Sequence, residues 1–320
     1  MVLPALSKPA TEGTAHGRRA QPRRHHPAPP LDAAMACDTA FRIVAGHYLR
    51  DLTAHHQATC EGDVDAVHQM RLALTRLRTA IAFFLPMVGG PQQARLGEEL
   101  KWLNTHLGAV RDLDVAIERL KEINKRRPRA EYRSWSRERA ESQRHLTRAL
   151  RSARYRRLNN SIADWIEKGS WATKRGRQAA TSRARPVTEY SARKLMRWRE
   201  KLIKKSRKLE AIGSRKRHQL RLMNKRFSYA IEAVTGLVSA GDSSRLRTTL
   251  KVLRRAQRSL GQLNDDARCR SLATTLEQSS GELSKIFLGA RREKRLMRTA
   301  AAAYEKLAEL KPLRIQIISE

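Results

Sequence analysis

The chain has 320 residues, 40% of them hydrophobic and only 5% aromatic, which is enough apolar side chain for one large domain or two smaller ones built on Leu, Ala and Ile. Lys and Arg outnumber Asp and Glu by 66 to 31, leaving a net charge of +35. Self-repulsion on that scale destabilises a compact state unless a polyanion or salt screens it, so the expected partner is nucleic acid, inorganic polyphosphate or an anionic membrane surface. Cys37, Cys60 and Cys269 are few, odd in number and far apart, which argues against a disulfide framework or a zinc site and fits a reducing cytoplasm. No apolar run approaches the roughly 18 residues of a membrane span.

Residues 1–30 are rich in Pro and Arg and read as a disordered basic tail. They lack the apolar core of a secretory signal; being Arg-rich and acid-poor they have the character of some transit peptides, and a start at Met35 is the other plain reading. From Leu31 the pattern is helical, over about 32–58, 63–85, 91–124, 129–148, 152–168, 188–211, 214–239, 242–260, 262–279 and 282–309. Gly62, Pro86, Gly89-Gly90-Pro91, Pro128, Gly213, Gly241 and Gly281 punctuate these segments. No hairpin signal interrupts them, and the end, KPLRIQIISE, is a short tail able to add an extended segment. The expectation is an all-α chain with a domain over 31–310. Its halves, 31–168 and 188–310, flank a linker at 169–187 that holds five basic residues and no acidic one, and 311–320 is a C-terminal tail.

The halves repeat. At an offset of 150, His68-Gln69-Met70-Arg71-Leu72 matches His218-Gln219-Leu220-Arg221-Leu222, and Arg76-Leu77 matches Arg226-Phe227. At an offset of 153, Leu107-Gly108 with Asp112 matches Leu260-Gly261 with Asp265. Two blocks in one order at nearly one separation indicate internal duplication and predict two pseudo-symmetric helical bundles.

Within the repeat, Met70, Ala73, Leu74, Leu77, Ala80, Ile81 and Phe84 form an apolar stripe. His68, Arg71, Thr75 and Arg78 share the opposite face, with Arg76 on its flank; His218, Arg221 and Lys225 form the same row in the second copy, flanked by Arg226. No acid lies in either row. Like charges one turn apart cost stability, and they suit a string of anions lying along the helix, which Arg grips through bidentate contacts to phosphate oxygens. Arg215, Lys216 and Arg217 gather at the start of the second helix, where the terminus also favours anions. Upstream, Lys201 and Lys205 flank the stripe of Leu195, Trp198, Leu202 and Leu209 and are candidates for a shared basic groove. Asp112 is expected to orient Arg76, and Asp265 to orient Arg226.

VHQMRLALTRLRTAIAFF, LGAVRDLDV, HQLRLMNKRFSYAIEAV and LGQLNDDA, in that order, resemble the motifs of the CHAD family, the conserved histidine α-helical domain. The resemblance spans roughly Leu31 to Leu310. It implies an all-helical fold of two pseudo-symmetric halves that bind inorganic polyphosphate without catalysis. Carried onto matching positions, it names His68, Arg71, Arg76, Arg78, Arg111, His218, Arg221, Lys225 and Arg226 as the binding cations. The chain departs from the pattern at Thr75 and Ser228, where the family usually has a further basic residue, and at Asn264, which stands where the first half has Arg111. The alternating Glu-x-Glu-x-Lys strand of the catalytic domain that often accompanies the family is absent from the sequence.

Three functions are thereby set against one another. A non-catalytic polyphosphate-binding module, recruited to polyphosphate granules where these exist, accounts for the rows. Non-specific nucleic-acid binding accounts for the bulk charge, but aromatics for stacking are scarce and no helix-turn-helix signature appears. A metal-dependent phosphohydrolase would need carboxylates holding a divalent cation; Asp112, Asp114, Asp265 and Asp266 could be proposed, but their helical setting favours structural pairing. The expectation is no enzyme, no cofactor, no metal and no membrane.

Overall fold

The computed structural model describes residues 28–123, 129–276 and 290–316. The expected tail up to residue 27 and the turns at Pro128 and Gly281 lie outside the described residues. The chain is all-α. The first half carries α1 (Cys37–Ala54), α2 (His56–Cys60), α3 (Val64–Phe83), α4 (Leu85–Val88), α5 (Pro91–Ile123), α6 (Arg129–Arg151) and α7 (Ala153–Lys168). The expected linker contains two short helices, α8 (Ser170–Thr173) and α9 (Arg177–Ala184). The second half carries α10 (Val187–Ser206), α11 (Ser214–Ala233), α12 (Ser243–Leu276) and α13 (Ala290–Glu309).

Several boundaries differ from the sequence reading: the helix expected over 188–211 ends at Ser206, and that over 214–239 ends at Ala233. The segment expected over 32–58 starts at Cys37 and breaks at His55. The helices expected over 242–260 and 262–279 are one helix, α12, running through Gly261. A helical glycine costs only about 1 kcal/mol, and the turn around it buries Leu260 and Leu263, so burial outweighs the local preference. Gly108 sits inside α5 in the same way.

Packing order is α1–α3–α5–α6 in the first half and α10–α11–α12–α13 in the second. The halves meet where α3 packs on α11 and α5 on α12. Leu74, Leu77, Leu103, Phe227, Ile231 and Leu253, all buried, belong to one hydrophobic cluster that runs through both halves. A smaller cluster of Ala116, Leu120, Trp135 and Cys269 joins α5, α6 and α12. After α13 the chain returns as an extended segment: Gln316 N–H donates to Leu237 O at 2.8 Å and Ile315 bridges Val238.

Local chemistry fixes the two helices of the junction. Gly62 takes φ 88°, a left-handed turn that glycine adopts without penalty. Asp63 then caps α3, accepting from Ala66 N–H at 2.6 Å. Arg139 of α6 pins this start by donating to Gly62 O and to Asp114, both at 3.0 Å. On α11 the buried Asn224 donates to Leu253 O at 3.1 Å and to Gln257 at 3.0 Å, which fixes the register of α11 against α12.

Candidate functional site

The two basic rows meet at the α3–α11 contact. Burial, with the charges of Arg221 on the same helix and of Arg71 and Arg76 on α3, lowers the pKa of Lys225 of α11 to about 7. Asp265 of α12 is the acid opposing that shift. Burial likewise holds Arg221 below the usual arginine value, with Arg71 adding to the effect and Asp265 and Asp112 working against it. At the outer edge Arg78 reaches water, but protein crowded around it and the charge of Arg226 lower its pKa. The repeated cations therefore form one field instead of two separate surface stripes.

Tyr229 is the floor of this cluster. Arg76 lies over its ring at 5.5 Å from the centroid and Lys225 at 5.6 Å, within cation–π range. Burial raises the Tyr229 hydroxyl above the ordinary tyrosine value, so it stays protonated. Glu232, one turn further along α11, takes Arg76 at 3.6 Å and Arg254 of α12 at 3.7 Å.

Asp112 of α5 orients the first row. It accepts from Arg71 at 3.2 Å and, through its other oxygen, from Arg268 of α12 at 3.1 Å. Arg71 also reaches Gly108 O at 3.4 Å, across the face where that residue has no side chain. The expected Asp112–Arg76 pair is thus corrected to Asp112–Arg71, with Arg76 on Glu232. Asp265 acts on Arg221 and Lys225, whereas Arg226 faces Arg78.

The histidines stand at the exposed end of the rows. His218 Nδ1 is 2.9 Å from Asn264 Oδ1. With that oxygen as acceptor, Nδ1 carries the proton and Nε2 becomes a second donor when the ring is protonated. Asn264, which replaces the Arg111 of the first half, is therefore a support for His218. His68 is exposed one turn before Arg71. Thr75 and Ser228, the two departures from the family pattern, turn their hydroxyls back to Arg71 O at 2.8 Å and Asn224 O at 3.0 Å, and so give nothing to the cluster.

The remaining expected residues are placed as follows. Arg111 is half-buried on α5 beside Asp112. Lys201 and Lys205 are exposed on α10 and are not among the groups whose charge reaches Lys225. Of the three cations opening α11, Arg217 is taken by Glu293 of α13 at 3.0 Å, leaving Arg215 and Lys216 exposed. Sequence reasoning missed Tyr229 and Glu232. Continuing the His218–Arg221–Lys225 row by four and then three residues reaches both, so the signal was present.

Chemically, the junction is a half-open bed of guanidinium forks around one amine, with Asp112 and Glu232 each already engaged by two arginines. The Arg221 Nε is buried without a hydrogen-bond partner. An unsatisfied buried donor in a cationic field calls for an anion. Among the described residues no group of three or more His, Cys, Asp or Glu is placed to hold a metal ion, and no helix is long and apolar enough to cross a membrane.

Residues 43–274 match the family model of the CHAD domain. The crystal structure of the CHAD domain from the plant Ricinus communis superposes with a TM-score of 0.74 at 24% identity, covering 91% of this chain and 100% of that one. PptA from Streptomyces chartreusis superposes with a TM-score of 0.58 at 14% identity, covering 86% of this chain and 100% of that one. At these identities both likenesses speak for the fold alone. Among curated proteins none matches this chain.

Proposed function

The chain belongs to the CHAD family, and from that premise and the joined basic rows we propose that it binds inorganic polyphosphate along the α3–α11 junction and does not act on it. The observation that carries this reading is the meeting of Arg71, Arg76, Arg221 and Lys225 in one field around a buried, unpartnered Arg221 Nε. Such a cluster repels itself when empty. A linear chain of phosphates relieves the repulsion at several cations at once, by charge-assisted hydrogen bonds and release of counterions. Forks held in place by Asp112 and Glu232 lose little freedom on binding, which favours affinity.

Nucleic acid is the second reading, carried by the net charge of +35. Sequence-tolerant binding of single strands uses exposed aromatic faces, but Trp135, Trp165 and Trp171 are fully buried here and Tyr229 is covered by Arg76 and Lys225. Phosphate contacts would then supply most of the hold on nucleic acid, with exposed Tyr132 the aromatic left for stacking, and the binding is weak at physiological salt. The deciding experiment is binding of labelled long-chain polyphosphate at about 150 mM salt with excess duplex and single-stranded DNA. Retention of the polyphosphate supports the proposal; displacement by DNA moves the nucleic-acid reading to first place. Recruitment to polyphosphate granules is part of the same proposal and is read by co-localisation in cells.

A further inference from the structure

Helix α6 carries a third basic row that belongs to neither copy of the repeat. Arg133, Arg137, Arg144, Arg148 and Arg151 fall within about 60° of one another around its axis and span about 27 Å along it, and all five are exposed. Trp135, Leu146, Ala149 and Leu150, on the other side of the same helix, are buried. Among the described residues none of the five arginines is in an ion pair. Like charges three and four residues apart destabilise a helix, so the row costs stability unless something outside the chain neutralises it.

The C-terminal end of the row borders a groove. Arg144, Arg148 and Arg151 line an open cavity of about 800 Å³ between α6 and the end of α2, together with Gln143, Thr147 and Cys60. Its walls are held by hydrogen bonds. Gln143 donates to Thr59 O at 2.8 Å and to Thr147 Oγ1 at 3.1 Å, Thr147 donates to Cys60 O at 3.0 Å, and the Arg151 guanidinium reaches the Cys60 sulfur. Among the described residues no acid and no aromatic ring lines the groove. Of the carboxylates beside it in sequence, Glu61 accepts from Gln57 at 2.7 Å and Glu141 pairs with His145 at 3.8 Å. Tyr132, at the far end of α6, lies off the row with Lys121 over its ring at 5.2 Å.

We infer that this face of α6 is a second binding surface for inorganic polyphosphate, so that one molecule of the protein bridges two stretches of the polymer. The inference rests on the reading that the α3–α11 junction holds the other stretch. Helix α5 packs on both α6 and α3 and stands between them. The α6 row points away from the buried side of its helix, so the two surfaces face apart. Guanidinium forks one turn apart take successive phosphates by bidentate, charge-assisted hydrogen bonds. A chain of phosphates without bases suits a groove with no stacking platform, whereas single-stranded nucleic acid would find no aromatic face there for its bases. The α6 arginines are exposed, where salt screens them, so this is the weaker of the two sites and excess DNA clears it before the junction. Two sites on one molecule turn a binder into a cross-link, and chains joined at many points condense into particles.

The test uses the full-length protein at about 100 mM salt with no competitor. It includes the variants Arg144→Gln/Arg148→Gln/Arg151→Gln and Arg71→Ala/Arg221→Ala, each checked for folding by circular dichroism. Calorimetric titration with a short oligophosphate is expected to find two sites on the wild type, the tighter one alone on the α6 variant and the weaker one alone on the junction variant. Light scattering with long-chain polyphosphate is expected to find particles with the wild type and only soluble complexes with either variant. An α6 variant that keeps both sites and still forms particles overturns the proposal. So does an α6 variant that loses affinity for duplex DNA but none for polyphosphate, which makes the row a nucleic-acid surface. Failure of this proposal leaves the tighter site in place and still lost in Arg71→Ala/Arg221→Ala; a tighter site that survives in that variant instead overturns the reading of the junction and, with it, the bridge.

Discussion

Arg71 of α3 and Asp112 of α5 meet at 3.2 Å, and Arg268 of α12 holds the other oxygen of the same carboxylate at 3.1 Å. One acid thereby fixes a cation of the first row and links the two halves. Both side chains of the Arg71–Asp112 pair are about one-third exposed, so the pair contributes roughly 0.5–1 kcal/mol to stability. A double-mutant cycle of Arg71→Ala with Asp112→Ala, followed by urea unfolding, is expected to show that coupling, whereas Arg76→Ala with Asp112→Ala is expected to be additive.

If several forks grip phosphate at once, as proposed, they set the salt dependence. The affinity for long-chain polyphosphate is expected to fall linearly with the logarithm of salt concentration. Arg71→Gln, Arg76→Gln and Arg221→Gln each reduce that slope by about one. Lys201→Gln and Lys205→Gln, on α10, leave it nearly unchanged. Binding isotherms at four or five salt concentrations check this.

Lys225 makes binding a proton-linked event. Its pKa is lowered from the ordinary 10.5 to about 7 by burial and by Arg221, Arg71 and Arg76. Between those values the unfolded chain binds a proton that the folded chain does not, so stability of the unliganded protein rises with pH across that window. A bound phosphate chain raises the folded value again, and binding near pH 8, about one unit above the depressed value, takes up close to one proton. Calorimetry in two buffers of different ionisation enthalpy measures the uptake, which is expected to vanish in Lys225→Met. The same variant flattens the rise in melting temperature between neutral and alkaline pH.

Asp266 of α12 is fully buried, with Arg119 of α5 at 3.3 Å and Arg292 of α13 at 3.8 Å. Asp266→Ala leaves these cations without their shared acid and is expected to destabilise the protein by about 3 kcal/mol. The effect falls on stability, measured by chemical denaturation, and leaves the polyphosphate salt slope unchanged.

The basic rows were legible because a helix repeats its face every three to four residues, and the matching order of His and Arg in two segments marked them as a pair. Tyr229 and Glu232 lay on the same face and were legible too, two steps beyond the last cation. The partner of Asp112 was not. A helical wheel gives direction around an axis but not depth along it, and Arg71 and Arg76 differ by about 7 Å along α3. Asp266 and Arg119 are 147 residues apart, and no local pattern joins them. Gly261 misled because glycine punctuates chains on average, while this one is carried by the buried leucines on either side.

In the proposed complex both rows grip one phosphate chain. The most direct measurement is long-chain polyphosphate affinity for the wild type, Arg71→Ala, Arg221→Ala and the double variant, at about 150 mM salt, with excess DNA present and folding verified by circular dichroism. Each single variant is predicted to lose about tenfold or more in affinity, and the double variant to lose binding that DNA cannot displace. Equal affinity in all four proteins, or loss from one row only, would contradict the account.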